Sequence, residues 1–236
     1  MKNIWTITRR ELKAYFVTPV AYIYITTFLV LVHWLFFRGF FLMGQASLRT
    51  FFALMPWIFL FFVPAVAMSK WAEEKKTGTL ELLFTFPIRE YEAVAGKFLA
   101  GFFLLASALL LTLPLPATVW FLGPLDWGPV IGGYLGLLFM GGAYLAIGLW
   151  VSALTENQIV AFILGVVFSF ALFILGEPIV TATLPAFAVG FVQTLGLGSH
   201  FESIGRGVLD SRDILYYLSV IGFFLFLNFK TLEKRS

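Results

Sequence analysis

Long apolar runs separated by short polar stretches dominate the chain, and six of them are long enough to cross a bilayer. A membrane-spanning helix needs roughly 20 residues. The predicted spans are 20–37, 51–68, 98–122, 130–154, 159–175 and 214–229. Helices are predicted because unpaired backbone groups in hydrocarbon cost several kcal/mol and the runs lack the alternating period of a barrel. The pattern therefore predicts an all-α polytopic membrane protein with six transmembrane helices.

The composition agrees with this class. The chain of 236 residues is 60% hydrophobic and 12% charged, and its mean hydropathy is +0.93. Soluble domains average about 45–50% apolar and about 25% charged residues, so a soluble core would bury only part of this apolar surface. The chain has no cysteine, which excludes a disulfide framework and a thiolate metal site.

The sixteen lysine and arginine residues fall mostly on one side of the six predicted spans. That side carries every lysine and comprises the residues before the first span, between the second and third, and after the sixth. The other side has four arginines: Arg38, Arg49, Arg206 and Arg212. Because Lys and Arg are enriched in cytoplasmic loops, both termini and the 69–97 loop are predicted to face the cytoplasm.

Residues 1–18 show the pattern of an amphipathic helix that lies on the membrane surface. One face is apolar, with Ile4, Trp5, Leu12, Tyr15 and Phe16. A neighbouring face is basic, with Arg9, Arg10 and Lys13. Such a helix binds the headgroup layer of the anionic cytoplasmic leaflet; the alternative is that its charges only orient the first span. Residues 19–236 are predicted to form one transmembrane domain.

The 69–97 loop is unusually polar. Ten of the 28 residues from 70 to 97 are charged, in a chain with 16 basic and 13 acidic residues. The sequence predicts a short helix of mixed charge that Gly78 ends, then a second helix over 80–86 with Thr79 as its cap and Pro87 after it. Apolar residues interleaved with charge favour a surface where a soluble partner docks, although a merely solvated loop is the alternative.

Three stretches resemble the ABC-2 type transporter permeases, and together they extend over most of the chain. The run "EEKKTGTLELLFTFPIREYEAVAGKF" is similar to the first cytoplasmic loop of that family. The stretches "SALTENQIVAFILG" and "HFESIGRGVLDSRDILYYLS" are similar to its second cytoplasmic loop and to the segment before its last span. The subgroup that the chain most resembles is the gliding-motility-associated ABC permease, so the bacterial inner membrane is the implied location.

The resemblance implies a type V exporter-like fold that works with a separate ABC ATPase. ATP and Mg would be bound by that partner, and no cofactor or metal is assigned to this chain, which is not an enzyme by itself. The one Gly-Lys pair, Gly96–Lys97, lacks glycine at position 91 and is followed by Phe98, so no P-loop is present. Half a permease also implies a second copy, a homodimer in the simplest case, and leaves open an extracytoplasmic auxiliary subunit. No nucleic-acid partner is expected.

The resemblance also implies which residues contact the ATPase. The main contact is the coupling helix within the 69–97 loop: Glu73, Glu74, Lys76, Gly78, Thr79, Leu80, Glu81 and Leu83. A smaller second contact comprises Glu156, Asn157 and Gln158.

The region 176–213 is predicted to be extracytoplasmic and partly re-entrant. Its apolar piece 186–197 has only 12 residues, is too short to span a membrane and fits a re-entrant or interfacial helix. Family architecture places short re-entrant helices at this point, between spans five and six. The candidate functional residues here are Glu177, His200, Glu202 and Arg206.

Two further patterns concern the spans themselves. Gly132 and Gly136 form a GxxxG motif, which permits close helix approach either within one subunit or across a dimer seam. Pro114 and Pro116 predict a kink or break in the third span.

The alternatives to a permease are an intramembrane enzyme and a scaffold or channel without ATP coupling. The motif Glu-Glu-x-x-x-Arg of prenyl-protein proteases begins at Glu73 but has Gly78 in place of arginine, and no H-E-x-x-H occurs. The spans have almost no charge with which to line an aqueous channel. We therefore expect an amphipathic or lipid-like cargo, or a mechanical role that passes ATP-driven movement to an extracytoplasmic partner.

Overall fold

The computed structural model describes residues 2–85, 88–208 and 210–233, and within these ranges the chain forms helices and no strand. The all-α prediction is confirmed. The helices are α1 (Lys2–Val17), α2 (Val20–Met43), α3 (Arg49–Ala67), α4 (Ser69–Lys76), α5 (Thr79–Thr85), α6 (Glu90–Leu110), α7 (Pro114–Leu122), α8 (Trp127–Leu154), α9 (Gln158–Ile174), α10 (Pro178–Thr181), α11 (Ala186–Leu195), α12 (Leu197–Gly205) and α13 (Ser211–Glu233).

Among the described residues, five helical segments are long and apolar enough to cross a membrane. They are Val20–Leu42, Arg49–Lys76, Glu90–Leu122, Trp127–Leu154 and Ser211–Glu233. The predicted fifth span corresponds to α9, which has 17 residues and is therefore about 26 Å long. The hydrocarbon core is about 30 Å thick, so α9 alone falls short, and the count of six spans stays a prediction.

Helix α8 is the core of the bundle, and glycines let its neighbours approach closely. A Cβ built at Gly148 would lie 2.7 Å from the Cβ of Ala67 in α3, and one at Gly132 would lie 2.6 Å from the carbonyl oxygen of Ile204 in α12. At Gly136 the nearest atoms also belong to α12. The GxxxG pair therefore packs within the chain.

The third span breaks where its prolines predicted. Helix α6 ends at Leu110, and Pro114 is the first residue of α7. Between them the backbone forms tighter bonds, such as Thr112 N–H to the Leu109 carbonyl at 3.0 Å. The Thr112 hydroxyl lies 2.9 Å from the hydroxyl of Tyr134 in α8, so a neighbouring helix helps to satisfy the polar groups at the break.

The N-terminal helix α1 packs against α6 and leaves two residues of its predicted apolar face exposed. Its buried residues include Thr8, Glu11 and Tyr15, whereas Trp5 and Phe16 are 59% and 42% exposed. The Thr8 hydroxyl donates to the Gly96 carbonyl of α6 at 3.2 Å. Ile7 of α1 packs against Gly96, where a Cβ would lie 2.7 Å from its side chain. Binding of α1 to the headgroup layer stays a prediction.

The bundle has two ends, and we call the one that holds α4, α5, the α8–α9 turn and the last turns of α13 the basic end. Tyr91 at the start of α6 and Phe229 near the end of α13 line one cleft there. Lys76 of α4 lines another with Glu156 of the α8–α9 turn. Since α1 also lies against this end, both terminal helices reach it. That this end faces the cytoplasm stays a prediction.

At the opposite end, α12 enters the bundle and α11 stays outside it. Phe201 and Ile204 of α12 are buried against α8, whereas α11 has no buried residue and its Phe187 is 88% exposed. The sequence predicted a re-entrant or interfacial helix for the apolar piece 186–197. Within the 176–213 region, the helix that enters the bundle is α12. Its polar residues are not typical of an inserted helix, but each has a polar environment in the structure. Ser199 donates to the Gln193 carbonyl, His200 bonds to Asp213, and Glu202 lines a cavity.

Candidate functional site

The α4 helix is fastened to the end of α8 through one serine. The Ser152 hydroxyl accepts hydrogen bonds from the backbone N–H groups of Trp71 and Ala72, both at 3.1 Å, and donates to the Met68 carbonyl at 2.8 Å. The Lys75 ammonium group donates to the Ala153 carbonyl. Helix α4 is therefore hydrogen-bonded directly to the end of α8.

The turn between α4 and α5 depends on glycine. Gly78 has φ = +70°, a left-handed conformation that other residues adopt at a cost. The Thr79 hydroxyl donates to the Glu74 carbonyl at 3.3 Å and lies 2.9 Å from the Thr77 hydroxyl. Thr79 was predicted to cap a helix over 80–86. Instead α5 begins at Thr79 itself, and Phe86 lies outside the described residues.

Behind α4 lies a buried group of charges, the lysine–glutamate cluster, made of Glu11, Lys70, Glu74 and Lys97. The side chain of Lys97 is 1% exposed, and its Nζ lies 2.5 Å from Glu74 Oε1, 3.4 Å from Glu11 Oε1 and 3.0 Å from the Lys70 carbonyl oxygen. Lys70 Nζ lies 3.0 Å from Glu11 Oε2. The cluster joins α1, α4 and α6 at the basic end.

The charges of the cluster determine the protonation of Glu11. Burial by itself raises the pKa of Glu11, but Lys97, Lys70 and a hydrogen bond from Arg10 together lower it to about 2. The carboxylate therefore stays ionised at neutral pH and pairs with two lysines. Buried charges are tolerated when they are paired and hydrogen-bonded in this way.

Five of the residues predicted to contact an ATPase form an exposed surface on α4, α5 and the turn between them. With two exposed residues of the α8–α9 turn they make up what we call the contact patch: Glu73, Lys76, Gly78, Thr79, Glu81, Glu156 and Asn157. Lys76, Glu156, Asn157 and half-buried Gln158 line a common cleft of about 530 Å³. The structure thus brings together the two contacts that the sequence placed about eighty residues apart.

Two predicted contact residues do not belong to this exposed surface. Glu74 turns inward to Lys97, so we correct its assignment from a surface contact to a member of the lysine–glutamate cluster. Leu80 of α5 is only 8% exposed, because its side chain packs into the hydrophobic core. The side chain of Leu83 lies outside the described residues.

Asn157 is exposed in the contact patch and also stabilises the start of α9. Its side-chain oxygen accepts hydrogen bonds from the backbone N–H groups of Ile159 at 2.9 Å and Val160 at 3.4 Å. It is therefore the N-cap of α9 and fixes the direction in which α9 leaves the contact patch.

At the opposite end, His200 connects the inserted helix to the last span. Its Nδ1 lies 2.6 Å from Asp213 Oδ1 in α13, and its Nε2 lies 3.2 Å from the Thr194 carbonyl oxygen. The ring stacks on Tyr216 with centroids 3.9 Å apart. Glu202 does not contact His200 or Asp213. In the described ranges, no three His, Asp or Glu side chains lie close enough together to hold a metal ion.

Glu177, Glu202, Arg49 and Arg206 meet in a cavity of about 480 Å³, which we call the charged cavity. Its remaining walls are largely apolar and include Phe52, Trp57, Phe173 and Phe201. The pKa of Glu177 is raised, because the carboxyl group is partly buried and because Glu202 is close. Three of the four predicted extracytoplasmic residues thus lie together, and Arg49 joins them.

Sequence reasoning did not identify Glu11, Lys97, Ser152 or Asp213 as parts of a site. A signal existed for Glu11, which is the one acidic residue of 1–18 and lies on the same helical face as Thr8 and Tyr15. No local pattern marks Lys97, Ser152 or Asp213, since their partners are distant in the chain.

The fold and the contact patch define a polytopic helical membrane protein with a structured polar surface at one end. A family model described as ABC-2 family transporter protein matches residues 17–197, and the chain belongs to this family. It is therefore a membrane permease component of an ABC transporter, a class that implies partnership with an ABC ATPase and with the membrane. A search of curated proteins found no match.

Proposed function

We propose that this chain is the permease subunit of an ABC exporter or ABC-driven mechanical device, and that a separate cytoplasmic ATPase docks on the contact patch. Family membership supports the need for an ATPase partner. The geometry of α4 carries the proposal of where it docks. Its outer face is exposed, while its inner face is bonded to α8 through Ser152 and to α6 through Lys97.

In this proposal, closure of the ATPase on ATP moves α4 and α5 as a unit. Ser152 passes the movement to α8, and the lysine–glutamate cluster passes it to α6 and α1. ATP and Mg are bound by the partner, and the contribution of this chain is to convert displacement at the basic end into rearrangement of its spans.

The complete complex in this proposal contains two permease copies and two ATPase subunits in the bacterial inner membrane, with six spans per copy. The basic end and both termini face the cytoplasm, which agrees with the lysine distribution. An extracytoplasmic auxiliary subunit and a role like that of the gliding-motility subgroup are compatible extensions. The apolar spans favour an amphipathic or lipid-like cargo, or mechanical work, over transport of ions or sugars.

Co-purification tests the proposal most directly. Affinity-tagged chain extracted from its native membrane should bring down a P-loop ATPase. Glu81→Lys and Glu156→Lys, which reverse charge within the contact patch, should each weaken that capture by about tenfold, because mismatched interface charges cost several kcal/mol. Glu233→Lys is the matched control, since Glu233 is exposed at the same end but on α13.

The outcomes separate the two function classes. Capture of an ATPase that is lost in both patch variants and kept in the control supports the proposal. Repeated purification with no ATPase bound would contradict it and favour the alternative, a scaffold or channel without ATP coupling. ATPase capture that is unchanged in both patch variants would mean that the docking surface lies elsewhere.

A further inference from the structure

The charged cavity holds four charged side chains that form no ion pair with one another. Arg49, Glu177, Glu202 and Arg206 all line it, and none of them belongs to an ion pair within the described ranges. Glu202 and Arg206 are four residues apart on α12 and its cap, a spacing at which opposite charges on a helix pair readily. They nevertheless remain apart, so both signs of charge are presented to the cavity.

The walls of the charged cavity suit a hydrocarbon chain. Trp57 and Phe173 meet edge to face with ring centroids 5.2 Å apart, and Trp57 is 48% exposed. The ring of Phe170, 37% exposed, lies 6.3 Å from that of Trp57, and Phe61, one turn further along α3, is 55% exposed. An apolar track therefore leads from the cavity to the outer surface of the bundle. The volume of about 480 Å³ is typical of small-molecule sites, which range over about 300–1,000 Å³.

The distribution of charge selects the ligand class. The raised pKa of Glu177 reflects repulsion by Glu202 as well as burial, so a cation placed between the two carboxylates would be stabilised. A purely cationic amphiphile would also face two guanidinium groups, and a purely anionic one would face two carboxylates. A ligand that carries both signs on one head group avoids both conflicts.

We propose that the charged cavity binds a zwitterionic phospholipid. The ammonium group lies against Glu177 and Glu202, and the phosphate lies against Arg49 and Arg206. The acyl chains follow the Trp57 surface out towards the bilayer. The proposal that the cavity binds this lipid does not depend on the proposed function. Only the proposal that the lipid is a transported cargo rests on it.

Native mass spectrometry of the purified full chain in a non-ionic detergent tests the proposal. The probes are phosphatidylethanolamine, phosphatidylglycerol and diacylglycerol with the same acyl chains. Phosphatidylethanolamine should bind at least about tenfold more tightly than either of the others, since one hydrogen bond to a charged group is worth about 1.5–3 kcal/mol and about 1.4 kcal/mol corresponds to tenfold.

Matched variants assign the binding to the cavity. Glu177→Gln and Arg206→Gln should each weaken phosphatidylethanolamine binding by about tenfold. Arg212→Gln and Glu90→Gln remove charges outside the cavity lining and should leave it unchanged. If Glu177→Gln fails to fold, Glu202→Gln should weaken phosphatidylethanolamine binding in its place, and Glu202 is exposed, so this change should leave the fold intact.

Several results would overturn the proposal. These are equal binding of diacylglycerol, a preference for phosphatidylglycerol that only Arg206→Gln abolishes, and unchanged binding in both cavity variants. Because no ATPase is present in the assay, loss of the proposed ATPase partnership would leave a positive lipid result standing. Conversely, absent lipid binding would not affect the co-purification result.

Discussion

Lys97 carries a charge at a position where 1% of its side chain is exposed, and at the residue scale this lysine decides how the basic end is built. Its ammonium group has two carboxylates and a carbonyl oxygen as partners, and it lies 4.6 Å from the ring centroid of Trp71. Each partner belongs to α1 or α4. A single side chain from α6 therefore positions both helices.

We expect Lys97→Met to destabilise the folded chain by about 3–5 kcal/mol, because it leaves Glu11 and Glu74 buried without their shared cation. Thermal unfolding in detergent, followed by circular dichroism, measures the effect. The control is Lys230→Met, which removes a lysine from an exposed pair with Glu233 and should change stability by less than about 1 kcal/mol. Similar losses in both variants would contradict a special role for the cluster.

Glu11 predicts a dependence of stability on pH. Its folded-state pKa is about 2, below its ordinary value of 4.5, so the carboxylate stabilises the fold above pH 4.5. That contribution is lost as the pH falls from 4.5 towards 2. The difference in unfolding midpoint between the wild type and Glu11→Gln should therefore shrink over this range. A difference that does not vary with pH would exclude Glu11 as the titrating group.

At the scale of elements, the packing of α8 depends on close approach of its neighbours. Gly148 faces Ala67 of α3, whereas Gly222 of α13 has no atom within 4 Å of a built Cβ. Both are glycines in apolar helices, and nothing in their local sequence tells them apart. The tertiary contacts alone show that the first is a packing residue.

We expect Gly148→Leu to destabilise the chain by about 1–3 kcal/mol, because the added side chain forces α3 and α8 apart. Gly222→Leu adds the same side chain in open space and should be neutral or slightly stabilising, since leucine favours helix more than glycine does. Thermal unfolding of the two variants in the same detergent measures the contrast. Equal effects would contradict the packing of α8 on α3.

At the scale of the whole molecule, the contacts bring α1, the contact patch and the end of α13 to one end of the bundle. The short helix α9 runs from Gln158, beside Lys76 at the basic end, to Phe173, which contacts Trp57. Helix α12 then fills the opposite half against α8. Gly198 of α12 closely approaches the Phe173 carbonyl of α9, so the inserted helix packs against the end of the short one.

The absence of native cysteine permits a direct topology measurement. Single cysteines at Glu81 and Glu233, at the basic end, should react with an impermeant maleimide only after intact cells are permeabilised. A cysteine at Ser211, at the opposite end, should react without permeabilisation. Labelling of the Glu81 position on intact cells would place the contact patch outside the cell and refute docking of a cytoplasmic ATPase.

Much of the candidate site could be predicted because its signals are local. The exposed positions Glu73, Lys76 and Glu81 follow a charged stretch between two apolar runs, and Gly78 marks the turn between α4 and α5. Glu74 was misplaced because it lies next to Glu73 and has the same chemistry. Which of two adjacent carboxylates turns inward depends on Lys97, and no local pattern specifies that partner.

The sequence by itself determined the helical membrane class, the ABC-2 resemblance and the asymmetry of basic charge, because hydropathy, helical periodicity and composition are properties of neighbouring residues. Tertiary structure alone decided that Glu11 is buried, that α12 rather than α11 enters the bundle, and that four charged side chains share one cavity. These features depend on side chains that are distant along the chain, and the free energy of burying a charge or a polar helix is set by partners that only the folded packing brings together.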